Sequence, residues 1–425
     1  MEDINKEELK RKKINIRLFP LYKAISWDLL FYYAIIFLYL LQVKKISAPQ
    51  IFLADAIYNI AILICIIPSG KIVSKIGKRT SVIIANVCIS IAILILLIMS
   101  NFYHLAIAYA IMAFGYSIKA IAENIILYDS LPSCNGRGKL FSIIDGKASS
   151  YYYYIDAISA VVTGFLYVLN PYIPIILCLI MSIVSTIISL GFQHTSTQKH
   201  AKKEKVNFKE TLEHVKDSKR IQYLIIFYAI VSGLLYSLSS LRSSIFEDLK
   251  LESQYFGVIY AILQIVAGTA ARFQDNIHNK FKNETLAVLS IPLTLACVFI
   301  GVLAKLPNDN FIFSLIIILF IIQGILKGAY RGLILRYMTN FTNSGIRTNL
   351  ATVESLAYYV VSILFSLACS WLLDTTSTAD TFIIVGAIST FMVGVVLYFM
   401  KGRVGLKPEQ YTEEDLKYSH FNKEK

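Results

Sequence analysis

Charged residues are scarce in this 425-residue sequence. Asp, Glu, Lys and Arg make up 16% of it, against about 25% in an average soluble chain. Hydrophobic residues make up 56%, and apolar runs of about 20 residues, the length that crosses a bilayer as a helix, recur along nearly the whole chain. A soluble protein of this length needs one or two cores, not a dozen apolar segments. The composition therefore excludes a large soluble helical protein and predicts an integral, polytopic membrane protein.

Motifs for metal, nucleotide and covalent chemistry are also missing. The six cysteines are scattered, mostly inside apolar runs and without a C-x-x-C pair, and the histidines show no ligand spacing. No G-x-x-x-x-G-K-[ST] run is present to bind ATP, and no nucleophile–base set is recognisable. We therefore expect no disulfide framework, no metal, no cofactor and no enzyme activity. The charged N-terminal segment lacks the short apolar core and cleavage site of a signal peptide.

The apolar runs predict twelve transmembrane helices, with approximate bounds 22–43, 50–70, 80–100, 104–128, 141–168, 172–192, 221–244, 254–273, 285–305, 311–337, 348–372 and 380–400. The predicted fold class is all-α integral membrane, with two pseudo-symmetric six-helix bundles. The domains are a cytoplasmic N-terminal segment, an N-terminal bundle, a cytoplasmic linker, a C-terminal bundle and a cytoplasmic tail, at residues 1–20, 21–192, 193–220, 221–400 and 401–425. A short amphipathic helix is expected in the linker, around Phe208–Val215.

The placement of Lys and Arg predicts the orientation. These residues concentrate in the N-terminal segment, the loop after the second helix, the central linker, the loop after the eighth helix and the C-terminal tail. Cytoplasmic loops carry an excess of Lys and Arg, so both termini are expected on the cytoplasmic side of a bacterial cytoplasmic membrane. The net charge of +13 reflects this asymmetry and not a nucleic-acid-binding surface. The expected partners are a small-molecule solute, protons and membrane lipids, and the chain is expected to be a monomer.

Two pairs of segments indicate an internal repeat. "SKIGKRTSVI" after the second helix matches "NKFKNETLAV" after the eighth, and "GYSIKAIAENIILYD" in the fourth helix matches "GILKGAYRGLILRY" in the tenth. Because both pairs have nearly the same offset, they favour a duplication of six helices. A duplicated bundle places its binding site at the interface of the repeats, near the bilayer midplane.

The segment "GKIVSKIGKR", Gly70–Arg79, resembles the loop signature G-x-x-x-D-[RK]-x-G-[RK]-[RK] of the major facilitator superfamily. Gly70, Lys75, Gly77, Lys78 and Arg79 match it. With twelve spans and a central linker, the resemblance covers residues 20–400. Segments such as "SWDLLFYYAI" resemble a bacterial branch of the superfamily, and that resemblance names no substrate.

The resemblance implies a gating role for this loop. In that family the glycines let the second and eleventh helices approach, and the cations latch the cytoplasmic ends of the bundles. By the same pattern Arg79 is expected to reach Asp129, whereas Ser74, in place of the usual Asp, weakens the latch to the eleventh helix. Drug–proton antiporters of the family carry an arginine four residues before a glycine of the fourth helix, and here Ile111 precedes Gly115. This absence, and that of a G-x-x-x-G-P run in the fifth helix, disfavour a typical multidrug antiporter.

Ionisable residues inside the predicted spans form the candidate site, because such residues are costly in lipid and face a cavity or a partner. The candidates for solute binding or proton coupling are Asp28, Tyr32, Lys119, Glu123, Tyr152, Asp156, Lys327 and Arg331. The candidates for gating are Gly70, Lys75, Gly77, Lys78, Arg79, Asp129, Asp145 and Glu354.

The spacing of these residues carries further expectations. Helical spacing predicts that Asp28, Tyr32 and Tyr39 share one face. It also predicts an ion pair between Lys119 and Glu123, four residues apart. Anion binding and a cytoplasmic gate are equal alternatives for the cationic pair of the tenth helix.

The sequence favours a secondary active transporter that moves a small organic solute by alternating access. Proton coupling through a buried carboxylate is expected, the membrane cations favour an anionic or zwitterionic solute, and export is slightly favoured over uptake. The alternatives are a non-transporting membrane sensor or interaction protein on the same scaffold, and a multidrug efflux pump without the usual motifs.

Overall fold

The computed structural model describes residues 2–132, 137–195, 208–281, 284–307, 309–340 and 347–400. These residues are almost entirely helical. In chain order the α-helices are α1 Glu2–Ser26, α2 Ile36–Leu38, α3 Ala48–Ile76, α4 Lys78–Ile98, α5 Phe102–Ser130, α6 Arg137–Leu169, α7 Tyr172–Leu190, α8 Phe208–Asp217, α9 Lys219–Asp248, α10 Ser253–Arg272, α11 Gln274–Phe281, α12 Thr285–Ala304, α13 Asn310–Asn340, α14 Arg347–Thr375 and α15 Thr378–Met400.

Eleven of the described helices are long and apolar enough to cross a membrane. They are α3 to α7, α9, α10 and α12 to α15, and they correspond to the second to twelfth predicted spans. The linker helix predicted around Phe208–Val215 is confirmed as α8. The short helix α11, which follows α10 at once, was not predicted because it is polar and only eight residues long.

The first predicted span, 22–43, is wrong as a continuous helix. α1 ends at Ser26, a turn occupies residues 27–35, and helix resumes with α2 and a π-helical turn, Tyr39–Val43. Phe31 at the centre of the turn has a φ of 61°, a left-handed conformation that is rare for bulky residues. Asp28, Tyr32 and Tyr39 therefore do not share one helical face. In the other direction, α1 runs without interruption through the boundary predicted at residue 20.

A local hydrogen bond of Asp28 favours the break. The sequence contains no Pro or Gly between residues 26 and 36, the residues that usually interrupt a helix. Instead, the Asp28 carboxylate accepts a hydrogen bond from the backbone N–H of Leu29, at 2.9 Å. An Asp side chain that bonds its neighbouring backbone in this way competes with the helical hydrogen bonds.

The helices form two compact units, Met1–His200 with Leu251–Ala261, and Ala201–Lys250 with Ile262–Lys425. In the first unit, α4 packs on α5 and α7, α3 packs on α5, and α1 packs on α5, α6 and α7. Its core contains Phe19, Tyr22, Val82, Ile118 and Phe192, all at most 1% exposed. The N-terminal end of α10 belongs to this unit and lies against α6.

The second unit repeats part of this pattern of packing. Within it, α12 packs on α13 and α15, and α9 packs on α14 and α15. Counted in chain order, the third span packs on the fourth and the sixth. In the same way, the ninth span packs on the tenth and the twelfth. The first span likewise contacts the fifth and sixth as the seventh contacts the eleventh and twelfth. The duplication suggested by the paired sequence segments is therefore visible in the packing of each unit taken by itself.

Candidate functional site

A buried polar network lies in the first unit, where α1 breaks. Ser26 is the last residue of α1, so its carbonyl has no helical donor four residues further on. The Lys119 ammonium of α5 donates a hydrogen bond to this carbonyl. Lys119 is 3% exposed. Through this side chain, α5 supplies a donor to the last carbonyl of α1, which has no donor within its own helix. The lysine thus holds the end of the broken helix.

Lys119 also pairs with Glu123, one turn further along α5. Its Nζ lies 3.7 Å from Glu123 Oε1, and the predicted pairing of these two side chains is therefore confirmed. The Tyr22 hydroxyl of α1 donates to the same carboxylate oxygen at 2.8 Å, and Asn86 of α4 donates to the Tyr22 oxygen at 3.0 Å. Glu123 is 7% exposed, so this charge is buried but bound on two sides.

A second ion pair joins α1 to α6. Lys23 of α1 forms a salt bridge with Asp145 of α6, and its ammonium lies 4.9 Å from the centroid of the Trp27 ring. Lys23 is 7% exposed. Asp145 was predicted as a gating residue from the sequence, and Lys23 was not singled out, because it lies at the edge of the first apolar run.

Asp28 lies in the turn after α1 and accepts three hydrogen bonds on one oxygen. Besides the Leu29 N–H, the hydroxyls of Tyr33 and Tyr116 donate to Oδ1 at 2.6 and 2.8 Å. A small cavity, with room for about one water molecule, opens beside this group and is lined by residues of α1, the turn after it, α4, α5 and α7. Asp28 and Lys119 both line it. The cavity therefore joins the break in α1 to the buried pair of α5.

The remaining candidates of the first unit lie around this network. Tyr152 and Asp156 of α6 are buried, at 5% and 4% exposure. The Tyr152 ring lies 5.6 Å from Trp27, centroid to centroid. Tyr32, 5% exposed, donates its hydroxyl hydrogen bond to Tyr109 of α5 at 3.4 Å. Both tyrosines therefore belong to a buried aromatic layer on either side of the turn.

The segment Gly70–Arg79, which resembles the superfamily signature, contains only one residue outside a helix. Gly77 separates α3 from α4 with a φ of 85° and a ψ of 148°, a conformation that favours glycine. Gly70 and Lys75, in the last two turns of α3, are exposed. The Ser74 hydroxyl donates to the Lys71 carbonyl of its own helix at 2.8 Å.

Two cations form salt bridges with Asp129, Lys78 of α4 and, at 4.0 Å, Arg137 of α6, and the expectation for Arg79 is wrong. Lys78 Nζ lies 2.7 Å from Asp129 Oδ2. Arg79 points the other way and donates to the carbonyls of Leu190 and Phe192, at 2.8 and 2.5 Å. Lys78 and Arg79 are the first two residues of α4, and side chains at adjacent positions of an α-helix point about 100° apart. One of them therefore faces α5, and the other caps the C-terminal end of α7.

The candidates of the second unit lie on α13 and α14. Lys327 of α13 is exposed, and the Arg331 side chain lies outside the described part of the chain. Glu354 of α14 is half-buried. Gln323, one turn before Lys327, is 6% exposed and donates to the Leu293 carbonyl of α12 at 3.2 Å, so it holds two helices together.

Sequence reasoning missed several members of the network, namely Tyr22, Lys23, Ser26, Trp27, Asn86 and Tyr116. Tyr22 and Asn86 were read as parts of apolar helices, although their polar atoms are buried and paired. The signal that was available is the rarity of Asn and Lys in a membrane span, which marks such residues as partners of other buried polar groups.

The comparisons with known proteins agree with this architecture. The family model of the Major Facilitator Superfamily matches residues 24–313. No curated protein matches the chain by sequence.

Among solved structures, the nucleoside transporter NupG is 13% identical with a TM-score of 0.68, over 93% of this chain and 98% of that one. A D-xylose–proton symporter is 13% identical with a TM-score of 0.67, over 94% and 98%. An inward-facing, unoccupied bacterial homologue of the human lysosomal transporter Spinster is 13% identical with a TM-score of 0.63, over 93% and 96%. At this identity the structures show a shared fold, and the family match covers more than half of the chain. The chain therefore belongs to the Major Facilitator Superfamily.

Proposed function

We propose that this chain is a secondary active transporter that moves a small organic solute across the membrane by alternating access, with the Lys119–Glu123 pair coupling transport to protons. The observation that carries the proposal is the burial of this pair beside a broken helix. Lys119 holds both the Ser26 carbonyl and the Glu123 carboxylate, so a movement of α1 changes the surroundings of the glutamate.

The chemistry of a buried carboxylate supports proton coupling. A carboxylate in a low-dielectric site stays ionised while a cation and hydrogen-bond donors hold it, and it takes up a proton when they leave. Glu123 has one such cation, Lys119, and one donor from α1, the Tyr22 hydroxyl. If α1 moves during the transport cycle, Glu123 loses the Tyr22 donor, and Lys119 is free to reorient. Glu123 would then bind a proton in one state and release it in the other.

Other features support a transporter of small organic solutes. Two proteins of similar fold carry such solutes by name, a nucleoside and D-xylose, and the second moves with a proton. The polar side chains of the first unit converge on the break in α1 and leave a cavity there. Discontinuous helices form the solute and ion sites in many transporters, because their free backbone groups supply polar contacts inside the membrane.

The test uses proteoliposomes that enclose a pH-sensitive dye. Uridine, xylose, glycine, lactate and choline are added outside in turn, and the internal pH is followed. We expect at least one solute to change the internal pH in the wild type. Glu123→Gln should reduce this proton flux at least tenfold while exchange of labelled solute persists. The sign of the pH change distinguishes export by antiport from uptake by symport.

Glu252→Gln is the matched control, because Glu252 is exposed and the substitution removes the same charge as Glu123→Gln. Wild-type solute flux that does not change the internal pH, or proton flux at the wild-type rate in Glu123→Gln, would exclude the proposed coupling. Tight binding of a solute with no flux in any condition would favour a sensor on this scaffold.

A further inference from the structure

We propose that Asp28 and the aromatic rings around the break in α1 form a binding site for an organic ammonium ion, so that the transported solute is a cation. This inference rests on the proposed function and names the substrate class of the same site. It departs from the anionic or zwitterionic solute that the sequence favours, and the reason lies in how the charges of the first unit are paired.

Asp28 makes no salt bridge with a described residue. Lys23 pairs with Asp145, and Lys119 pairs with Glu123, whereas Asp28 forms no ion pair with any described residue. Its three hydrogen bonds all reach Oδ1, two from tyrosine hydroxyls and one from its own backbone. The second oxygen accepts no hydrogen bond from the described residues, and Asp28 lines the cavity. An ionisable residue within a membrane protein faces a cavity or a partner and marks a path for substrate or ions.

Aromatic rings surround this carboxylate. Tyr33 and Tyr116 contact it directly through their hydroxyls. Next to it in the chain, the Trp27 ring lies 5.6 Å from Tyr152 and 5.1 Å from Tyr153, centroid to centroid. A carboxylate beside electron-rich ring faces is the arrangement by which proteins recognise ammonium and quaternary ammonium ligands.

The protein already places its own ammonium groups on these rings. Lys23 Nζ lies 4.9 Å from the Trp27 centroid, and Lys119 Nζ lies 5.3 Å from the Tyr116 centroid. Tyr33 and Tyr153 of the same layer are 39% and 48% exposed. The aromatic layer therefore suits positive charge.

The cavity contains one more group that awaits a partner. The Ser26 hydroxyl lines it, is fully buried and has no hydrogen-bond partner among the described residues. A hydroxyl oxygen can accept a hydrogen bond from an ammonium N–H, or from the hydroxyl of an amino alcohol. An anion would instead need a free cation in this cavity, and the only lysine that lines it, Lys119, is held by Ser26 and Glu123.

The experiment measures binding of three probes of one shape to the purified full chain in detergent. Choline is positive, 3,3-dimethyl-1-butanol is its neutral isostere, and 3,3-dimethylbutanoate carries the opposite charge. We expect the wild type to bind choline at least tenfold more tightly than the neutral isostere in titration calorimetry. Binding of the anion should be weaker still.

Variants locate the charge that discriminates between the probes. Asp28→Asn keeps the shape and the hydrogen-bond acceptor, and we expect it to lower choline affinity at least tenfold without changing that of the neutral isostere. Asp28→Glu should retain part of the preference for choline. Asp380→Asn is the matched control, because Asp380 is a partly exposed residue paired with Lys305 in the first turn of α15.

The result that overturns the inference is choline binding no tighter than that of its neutral isostere in the wild type, including no binding at all. This comparison does not depend on the folding of any variant. The inference also fails if Asp28→Asn keeps the full preference for choline. Proton-coupled flux of an anionic or neutral solute that depends on Glu123 would overturn the inference and leave the proposed function intact.

Discussion

Lys119 donates a hydrogen bond to the backbone carbonyl of Ser26, and through it α5 closes the free end of α1. The same ammonium pairs with Glu123. One buried side chain thus satisfies a broken helix and a buried carboxylate at once. Its removal therefore takes a partner from both of these buried groups.

The first prediction concerns this lysine. Lys119→Met should lower the free energy of unfolding by about 3–5 kcal/mol, because it strands the buried Glu123 charge. The double variant Lys119→Met/Glu123→Gln should recover part of this loss, since the stranded charge is gone. Unfolding in mixed micelles measures both. Lys147→Met, at an exposed position of α6, is the control and should change little. Equal stability of the single and double variants would contradict the pairing.

The second prediction separates the two neighbouring cations at the start of α4. Lys78 contacts Asp129 and Arg79 does not. A double-mutant cycle of Lys78→Met with Asp129→Asn should give a coupling energy of about 0.5–3 kcal/mol, the range for residues in contact. The same cycle with Arg79→Met should give a coupling near zero. The two cycles share the wild type and Asp129→Asn, so thermal unfolding of six proteins measures both. A larger coupling for Arg79 than for Lys78 would refute the observed pairing.

The third prediction compares two glycines of α10. A Cβ on Gly257 would lie 2.0 Å from the Ala160 carbonyl oxygen of α6, whereas one on Gly268 would meet nothing within 4 Å. Gly257→Ala should therefore cost about 1–3 kcal/mol through overpacking. Gly268→Ala should be neutral or stabilise by about 0.4–1 kcal/mol, because it restricts the unfolded chain. Melting temperatures of the two variants give the test, and equal temperatures would contradict the close approach.

The fourth prediction concerns α11, the helix that the sequence did not reveal. The Tyr337 hydroxyl and His278 Nδ1 lie 2.6 Å apart, and each residue is 1% exposed. Tyr337→Phe keeps the ring but removes the hydroxyl from a buried histidine, and the cost should be about 1–3 kcal/mol. Hydrogen exchange in residues 274–281 should rise accordingly. Tyr398→Phe, at a position 75% exposed, is the control. Unchanged exchange would mean that this hydrogen bond does not hold α11.

The spans were predictable because each is set by its own length and hydropathy. The eleven spanning helices begin and end within a few residues of the predicted bounds, except where polar turns extend them. They are α3 to α7, α9, α10 and α12 to α15. The pairing of Lys119 with Glu123 was also predictable, because residues four apart meet on any helix.

The site itself depends on contacts that no local pattern encodes. The Tyr22–Glu123 hydrogen bond joins residues 101 positions apart, and Lys23 meets Asp145 across 122 positions. No Pro or Gly follows Ser26 from which the break could have been predicted. It is specified by Asp28 and by side chains of α5, so the first apolar run by itself predicts a continuous helix.

The choice of Lys78 over Arg79 as the partner of Asp129 depends on the rotation of α4 about its axis, and the motif does not contain that information.

The interrupted first helix has a consequence for the order of biogenesis. Residues 22–43 leave the ribosome as one apolar stretch, long enough to be inserted as an ordinary spanning helix. Lys119 and Tyr116, which hold the break, are synthesised some ninety residues later. The nascent segment therefore enters the bilayer before its interruption has partners, and the turn at Asp28 becomes secured only when α5 arrives beside it.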